Sequence, residues 1–238
     1  MGINSKTDGR SINLEENIRL SKIDVLVLSG GSGTRVKYDI GNTPKGLMHY
    51  KGKCALDYVT EPFKREIFNI HLNVRYDEAD RFNEMYPYDL FVETEQLGNA
   101  GALKLFGKEL SDPFIAIHND VYVENFDALD LFIQHCKNIT ESCCMTVVVK
   151  NIADKKEDGI IIKNKDAIIG ITRERFINAG IYCISHEALE YIDDDCFQDI
   201  DDDLIQNLTK EQRRDNMFDF NRRIAAYKHN GYYESWGK

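Results

Sequence analysis

Ile23-Asp24-Val25-Leu26-Val27-Leu28, followed at once by Ser29-Gly30-Gly31-Ser32-Gly33-Thr34-Arg35, decides the fold class. A near-continuous apolar run of six residues suits a strand buried on both faces, as in a parallel sheet. Three glycines in four positions then end it. Glycine lets the main chain approach an anion closely and turn several N–H groups toward it, and the arginine adds a fork for phosphate oxygens. The stretch therefore reads as a strand that delivers the chain to a triphosphate cradle. It is not a P-loop, which needs Gly-Lys-Ser/Thr at its end, nor a Rossmann fingerprint, which needs a third small residue where Val36 stands.

Further short apolar runs follow at Ile67 to Val74, Leu90 to Val92, Phe114 to His118, Met145 to Val149, Gly159 to Ile162 and Ala179 to Ile184. Helix-like segments at Ala55 to Lys64, Glu78 to Glu84 and Asn99 to Leu110 lie between the early ones, so the pattern is α/β. In an open parallel sheet ligands bind beyond the carboxyl ends of the strands, which singles out the loops after Leu28, Val92 and His118.

Composition bounds what such a site serves. The 238 residues are 42% hydrophobic, enough for one sizeable core, and no low-complexity tract or repeat divides them. One domain over residues 23–238 is expected behind a polar arm, residues 1–22. A formal net charge of -10 disfavours nucleic acid and anionic membranes as partners. The acidic runs Asp193 to Asp195 and Asp199 to Asp203 read as solvated helix ends and faces, without the spacing of a calcium loop. The six cysteines form no C-x-x-C pair, so reduced, mostly buried thiols are expected. No run reaches the length of a membrane span, and residues 1–22 lack an apolar leader core, which points to the cytosol.

Ten residues beyond Arg35, Thr43-Pro44-Lys45-Gly46-Leu47 sets a lysine behind a stiffening proline, close in sequence to the glycine turn. A strand, then GGxGTR, then a Pro-Lys pair resembles the hallmark of the sugar-phosphate nucleotidylyltransferases. The resemblance runs from Ile23 to Gly237 and is strongest to short guanylyltransferases acting on heptose or mannose 1-phosphate. It implies a three-layer α/β/α fold with a mixed, mainly parallel central sheet of the nucleotide-diphospho-sugar transferase type. It also implies a nucleotide half over residues 23–120, a sugar-phosphate half over residues 121–238, magnesium as cofactor and a homodimer.

The resemblance distributes roles along the chain. Leu28, Gly30, Gly31, Ser32, Gly33 and Thr34 would hold the nucleotide, with Arg35 and Lys45 as the catalytic cations. Glu93-Thr94-Glu95-Gln96-Leu97-Gly98-Asn99-Ala100-Gly101-Ala102 is similar to the segment that embraces base and ribose, through Glu93 and Gly98. An ionised carboxylate only accepts hydrogen bonds, and guanine offers two donors on its pairing edge, so Glu93 tilts the choice toward GTP. His118-Asn119-Asp120 stands where the family shows Asn-Gly-Asp. Asn119 would line the nucleotide, Asp120 would bind magnesium, and His118 would be a hydrogen-bonded structural residue.

On the sugar-phosphate side, Gly159 in Asp158-Gly159-Ile160, Glu174 and Arg175 in Arg173-Glu174-Arg175, and Asn178 in the stretch Asn178-Ala179-Gly180-Ile181-Tyr182 match the family's positions. Arginine at 175 replaces the usual lysine and favours a bidentate phosphate contact. The end of the chain departs from the pattern. Ser235 occupies the register of a second metal-binding aspartate, leaving three alternatives: Glu234 substitutes from one residue away, Asp120 works with phosphates and water alone, or the metal site is impaired. Two other functions stay open at this point, a non-catalytic nucleotide-binding homologue and a glycosyltransferase consuming a finished nucleotide sugar.

Overall fold

The computed structural model describes residues 22–31, 43–151, 159–163, 167–172, 176–194, 196–215 and 223–235. In chain order the strands are β1 (Ile23–Leu28), β2 (His49–Tyr50), β3 (Lys53–Cys54), β4 (Phe68–Arg75), β5 (Asp89–Glu93), β6 (Phe114–His118), β7 (Val121–Val123), β8 (Met145–Asn151), β9 (Gly159–Lys163), β10 (Ala167–Thr172), β11 (Phe176–Ile184), β12 (Ile224–His229) and β13 (Tyr233–Ser235). The α-helices are α1 (Ala55–Thr60), α2 (Ala79–Met85), α3 (Gly98–Phe106), α4 (Ala128–Ile139) and α5 (Ile205–Asp215).

Nine strands form one sheet among the described residues, in the order β5-β4-β1-β6-β11-β8-β12-β10-β9. β4, β1, β6 and β5 run parallel, while β11 is antiparallel to both β6 and β8. β12 lies parallel to β8, and β10 runs against β12 and β9. All but β10 and β11 thus point one way, and the expected mixed, mainly parallel sheet is present.

Alternation along β1 separates two cores. Leu26 and Leu28 join a cluster with Ala100, Leu103 and Phe106 of α3 and with Ile205 and Leu208 of α5. Ile23, Val25 and Val27 join the other, with Leu56 of α1, Phe82 of α2 and Leu131 of α4. Each face of the sheet is therefore covered by helices, which makes the three layers. The single charge inside β1, Asp24, is matched by neighbours: its carboxylate lies 2.9 Å from His71 Nε2 and accepts from Asn69 Nδ2 at 3.0 Å and from the Ser111 N–H at 2.7 Å. Burial raises its pKa, but these hydrogen bonds outweigh that cost and hold it below the usual carboxylate value.

The expected helices shorten where their sequences stop supporting them. The run from Ala55 gives way after Thr60 to a 3₁₀ turn, Glu61–Phe63, around Pro62, and the run ending at Leu110 stops at Phe106 before a 3₁₀ turn from Gly107. Helix α4 had no counterpart among the sequence expectations. Its markers are plain in retrospect: the Asp127 carboxylate caps it by accepting from the N–H groups of Leu129 and Asp130, and Ala128, Leu131, Phe132 and His135 are buried along one side. The cysteines are free; Cys54, Cys143, Cys144 and Cys183 are buried and Cys196 is exposed. No described helix is long and apolar enough to cross a membrane.

Candidate functional site

Because β1, β4, β5 and β6 are parallel, their carboxyl ends share one edge of the sheet. The register pairs Leu28 with Asn73 and with His118, and Arg75 with Glu93. β11 runs the other way, so its first residues, Phe176 to Gly180, come to that same edge beside the end of β6. Sequence positions far apart are thereby gathered into one place.

At the end of β1, Ser29 N–H donates to the Asn73 carbonyl at 2.9 Å and Gly30 N–H reaches Asn73 Oδ1 at 3.3 Å. Gly30 has to be glycine, since a Cβ there would stand 2.4 Å from Glu93 Oε2 and 3.0 Å from Asn73 Oδ1. A Cβ on Gly31 would meet nothing within 4 Å among the described residues. Ser32, Gly33, Thr34 and Arg35 lie outside the described residues.

Glu93 is only 4% exposed and lies behind Gly30. Burial raises the pKa of its carboxyl, opposed by a hydrogen bond from Asn73 and the charge of Arg75. Gly98 sits at φ +77°, and a Cβ there would be 2.3 Å from the carbonyl oxygen of Gln198. That carbonyl accepts from Ala100 N–H at 3.0 Å, and Gln198 N–H donates to the Leu97 carbonyl at 2.9 Å. The glycine expected to admit a nucleotide is thus required first by a main-chain clasp between the start of α3 and the segment before α5.

Lys45 Nζ bonds Asp120 Oδ2 at 2.8 Å, with the two side chains 18% and 16% exposed. Seventy-five positions apart in sequence, the expected catalytic cation and the expected metal ligand are direct partners. Asn119 is buried, and its N–H lies 3.4 Å from the Leu28 carbonyl. Asp120 supplies a hard oxygen, and among the described residues no three His, Cys, Asp or Glu side chains come together to hold a cation. Asp120 would be the residue to hold a magnesium ion here, a single hard oxygen donor of the kind that ion takes, and the described residues build no all-protein cage.

Glu234, on β13 opposite Tyr122, has Tyr50 OH 2.8 Å from both carboxylate oxygens and accepts from Tyr232 OH at 3.1 Å. Its described contacts are with these tyrosines and do not include Asp120.

On the β11 side, Asn178 Oδ1 accepts the N–H of Gly180 at 2.8 Å, and Nδ2 bonds Tyr182 OH at 2.7 Å and the Asp201 carboxylate. Gly180 has φ +71° and would bring a Cβ to 2.9 Å from Val121 Cγ2 and 3.4 Å from His118. His118 packs 5.6 Å from the Tyr182 ring, but its Nε2 is buried with no hydrogen-bond partner, unlike the satisfied histidine expected. Asp201 corrects the reading of the acidic run as solvated. It is partly buried in a π-turn, Ile200–Leu204, because Asp199 accepts from the Asp201 N–H and Asp203 from the Asp199 N–H, folding the run inward. Gly159 begins β9, while Glu174 and Arg175 lie outside the described residues.

No protein-family model matches the chain. Individual proteins do. The chain is 28% identical over 192 residues to a mannose-1-phosphate guanyltransferase from Yarrowia lipolytica, covering 71% of this chain and 51% of that one. It is 25% identical over 227 residues to the bifunctional protein GlmU of Methanocaldococcus jannaschii, covering 91% and 52% respectively. The crystal structure of HddC from Yersinia pseudotuberculosis complexed with GMP-PN superposes with a TM-score of 0.71 at 24% identity, covering 91% of this chain and 94% of that chain. The chain is similar to sugar-phosphate nucleotidyltransferases in sequence and in fold. It spans about half the length of the curated relatives it matches, and shares its fold with HddC over nine tenths of both chains.

Proposed function

We propose that this protein transfers a nucleotidyl group from a nucleoside triphosphate, with GTP preferred, to a sugar 1-phosphate, releasing pyrophosphate. The observation that carries the reading is the Lys45–Asp120 pair at the carboxyl edge of β6, level with the glycine turn after β1. A cation and a hard oxygen ligand side by side suit a phosphoryl group and its metal. The guanyltransferase among the relatives, and the GMP-PN complex of the HddC fold, support GTP as donor.

A phosphate oxygen of the sugar 1-phosphate would attack the α-phosphorus in line as pyrophosphate leaves. The residues' contribution is positioning and charge neutralisation, without a covalent enzyme intermediate. The amides from Gly31 to Gly33, with Arg35, would hold the leaving pyrophosphate, while the Gly30 N–H stays on Asn73 Oδ1. Lys45 turns from Asp120 to the α-phosphoryl group, Asp120 is left to hold magnesium, and Arg175 receives the incoming phosphate. Magnesium, when bound, would neutralise charge on the bridging phosphate oxygens.

The test is pyrophosphate release with magnesium, crossing five triphosphates (ATP, CTP, GTP, UTP and dTTP) with hexose and heptose 1-phosphates. Release that requires one donor and one acceptor together supports transfer. Nucleotide binding by calorimetry with silence in every pairing would overturn it in favour of a non-catalytic homologue.

A further inference from the structure

Asn178 is the position at which the family resemblance places a sugar contact, yet its polar head is already committed. A primary amide carries two N–H donors, and here both are used within the protein, toward Tyr182 OH and Asp201. Its oxygen takes the Gly180 N–H. A hydroxyl arriving at this place finds no free donor on Asn178.

Asp201 offers what Asn178 lacks. Its Oδ1 receives the Asn178 amide, while no described group donates to Oδ2. The residue is partly buried and keeps some exposure to solvent. The π-turn fixes the carboxylate: Asp199 Oδ1 holds the Asp201 N–H at 2.9 Å, and the Gln198 clasp anchors the preceding residue to α3. Local π-turns of this kind recur at functional sites. Beside it stands His118, with a buried and unpartnered Nε2 and close enough to act electrostatically on Asp201. Burial raises the Asp201 pKa, while the Asn178 hydrogen bond and His118 oppose the rise and nearby Asp199 and Asp202 add to it.

We propose that Asp201 Oδ2 accepts the hydrogen bond of a hydroxyl on the acceptor sugar, with Asn178 as the positioning residue that aims the carboxylate. This rests on the transfer reaction proposed above and names the group that selects its acceptor.

The experiment is steady-state kinetics of wild type and Asp201→Asn with the preferred sugar 1-phosphate and a set of its single-deoxy analogues. Asp201→Asn is expected to raise the KM for the sugar phosphate about 10- to 100-fold, as for loss of a charged hydrogen bond, with the KM for the triphosphate unchanged. One deoxy analogue should lose a similar factor with wild type and nothing further with Asp201→Asn. A sugar-phosphate KM within twofold of wild type, or equal additional losses on every analogue, overturns the proposal and leaves the transfer reaction standing. A wild type silent with every donor and acceptor overturns both. If Asp201→Asn does not fold, Asp201→Glu keeps the acceptor one methylene further out. It should reorder the preference among the deoxy analogues, and an unchanged order counts against Asp201.

Discussion

β1 and β11 meet the same edge of the sheet from opposite directions, and they equip it differently. β1 ends there and hands over main chain: Gly30 backs onto Glu93 and Asn73, and a Cβ on Gly31 would meet nothing within 4 Å among the described residues. β11 begins there and hands over side chains, with Asn178 tying together Gly180, Tyr182 and Asp201. The contrast follows from strand direction. A parallel strand delivers its following turn to the binding edge, whereas an antiparallel strand delivers its own first residues. A turn of glycines suits the invariant part of a substrate, the phosphates. A network of side chains suits the variable part.

Experiments can break this division or sharpen it. The largest effect is expected from Lys45→Ala, which removes the cation paired with Asp120. Turnover in pyrophosphate release should fall at least about 100-fold, the scale of losing one transition-state donor, and near-normal turnover would remove Lys45 from the reaction.

At the other end of β11, away from the site, side chains serve folding alone. His135 Nδ1 lies 2.8 Å from Thr146 Oγ1 and Nε2 lies 3.0 Å from Ser185 Oγ, and burial pushes its pKa down to about 4. Unfolded histidine titrates near 6.5, so between about pH 6.5 and 4 the unfolded chain takes up a proton that the folded one refuses. Stability from this group is therefore lost as pH falls through that window, by up to about 3 kcal/mol. Denaturant unfolding at several pH values should show the loss in wild type and a flatter profile in His135→Gln.

Gly98→Ala attacks the clasp between the two sides of the site. It places a Cβ against a carbonyl oxygen at a positive φ, so a destabilisation of about 2 kcal/mol is expected in denaturant unfolding. A neutral result would mean that the clasp yields easily. Gly31→Ala should be the mildest change. With no described residue within 4 Å of the added Cβ, folding stability should stay within about 0.5 kcal/mol of wild type, while triphosphate affinity measured by calorimetry falls. Unaltered affinity would mean that the turn does not approach the nucleotide.

The parallel half of the sheet was largely legible because β1 and β6 are almost wholly apolar and buried, while β4 alternates apolar with polar residues over eight positions. β10, β12 and β13 were not: Gly170 interrupts the apolar run of β10, Tyr227, Lys228 and His229 make the second half of β12 polar, and β13 has only three residues. The ends of β1, β5 and β6 share one edge of the sheet, as the reading of parallel strands from the sequence implied. What the sequence hid was which polar groups turn inward. Asp201 sits in a run that composition assigns to solvent, and only the capping of one aspartate by another folds it under. Gly98 was read for ligand approach, while its conformation answers to Gln198, exactly a hundred residues on and invisible to any local pattern.

The clasp also acts as a calliper. Both of its hydrogen bonds join main-chain groups, Leu97 and Ala100 to Gln198, so the gap between the donor loop and the acceptor segment is measured out in peptide units and not in side chains. In the reaction proposed above, base and sugar preference would then drift through substitutions at either jaw while the spacing between the two jaws is conserved. Inserting one glycine beside Gly98, between Leu97 and Ala100, would alter that spacing without removing a single polar side chain.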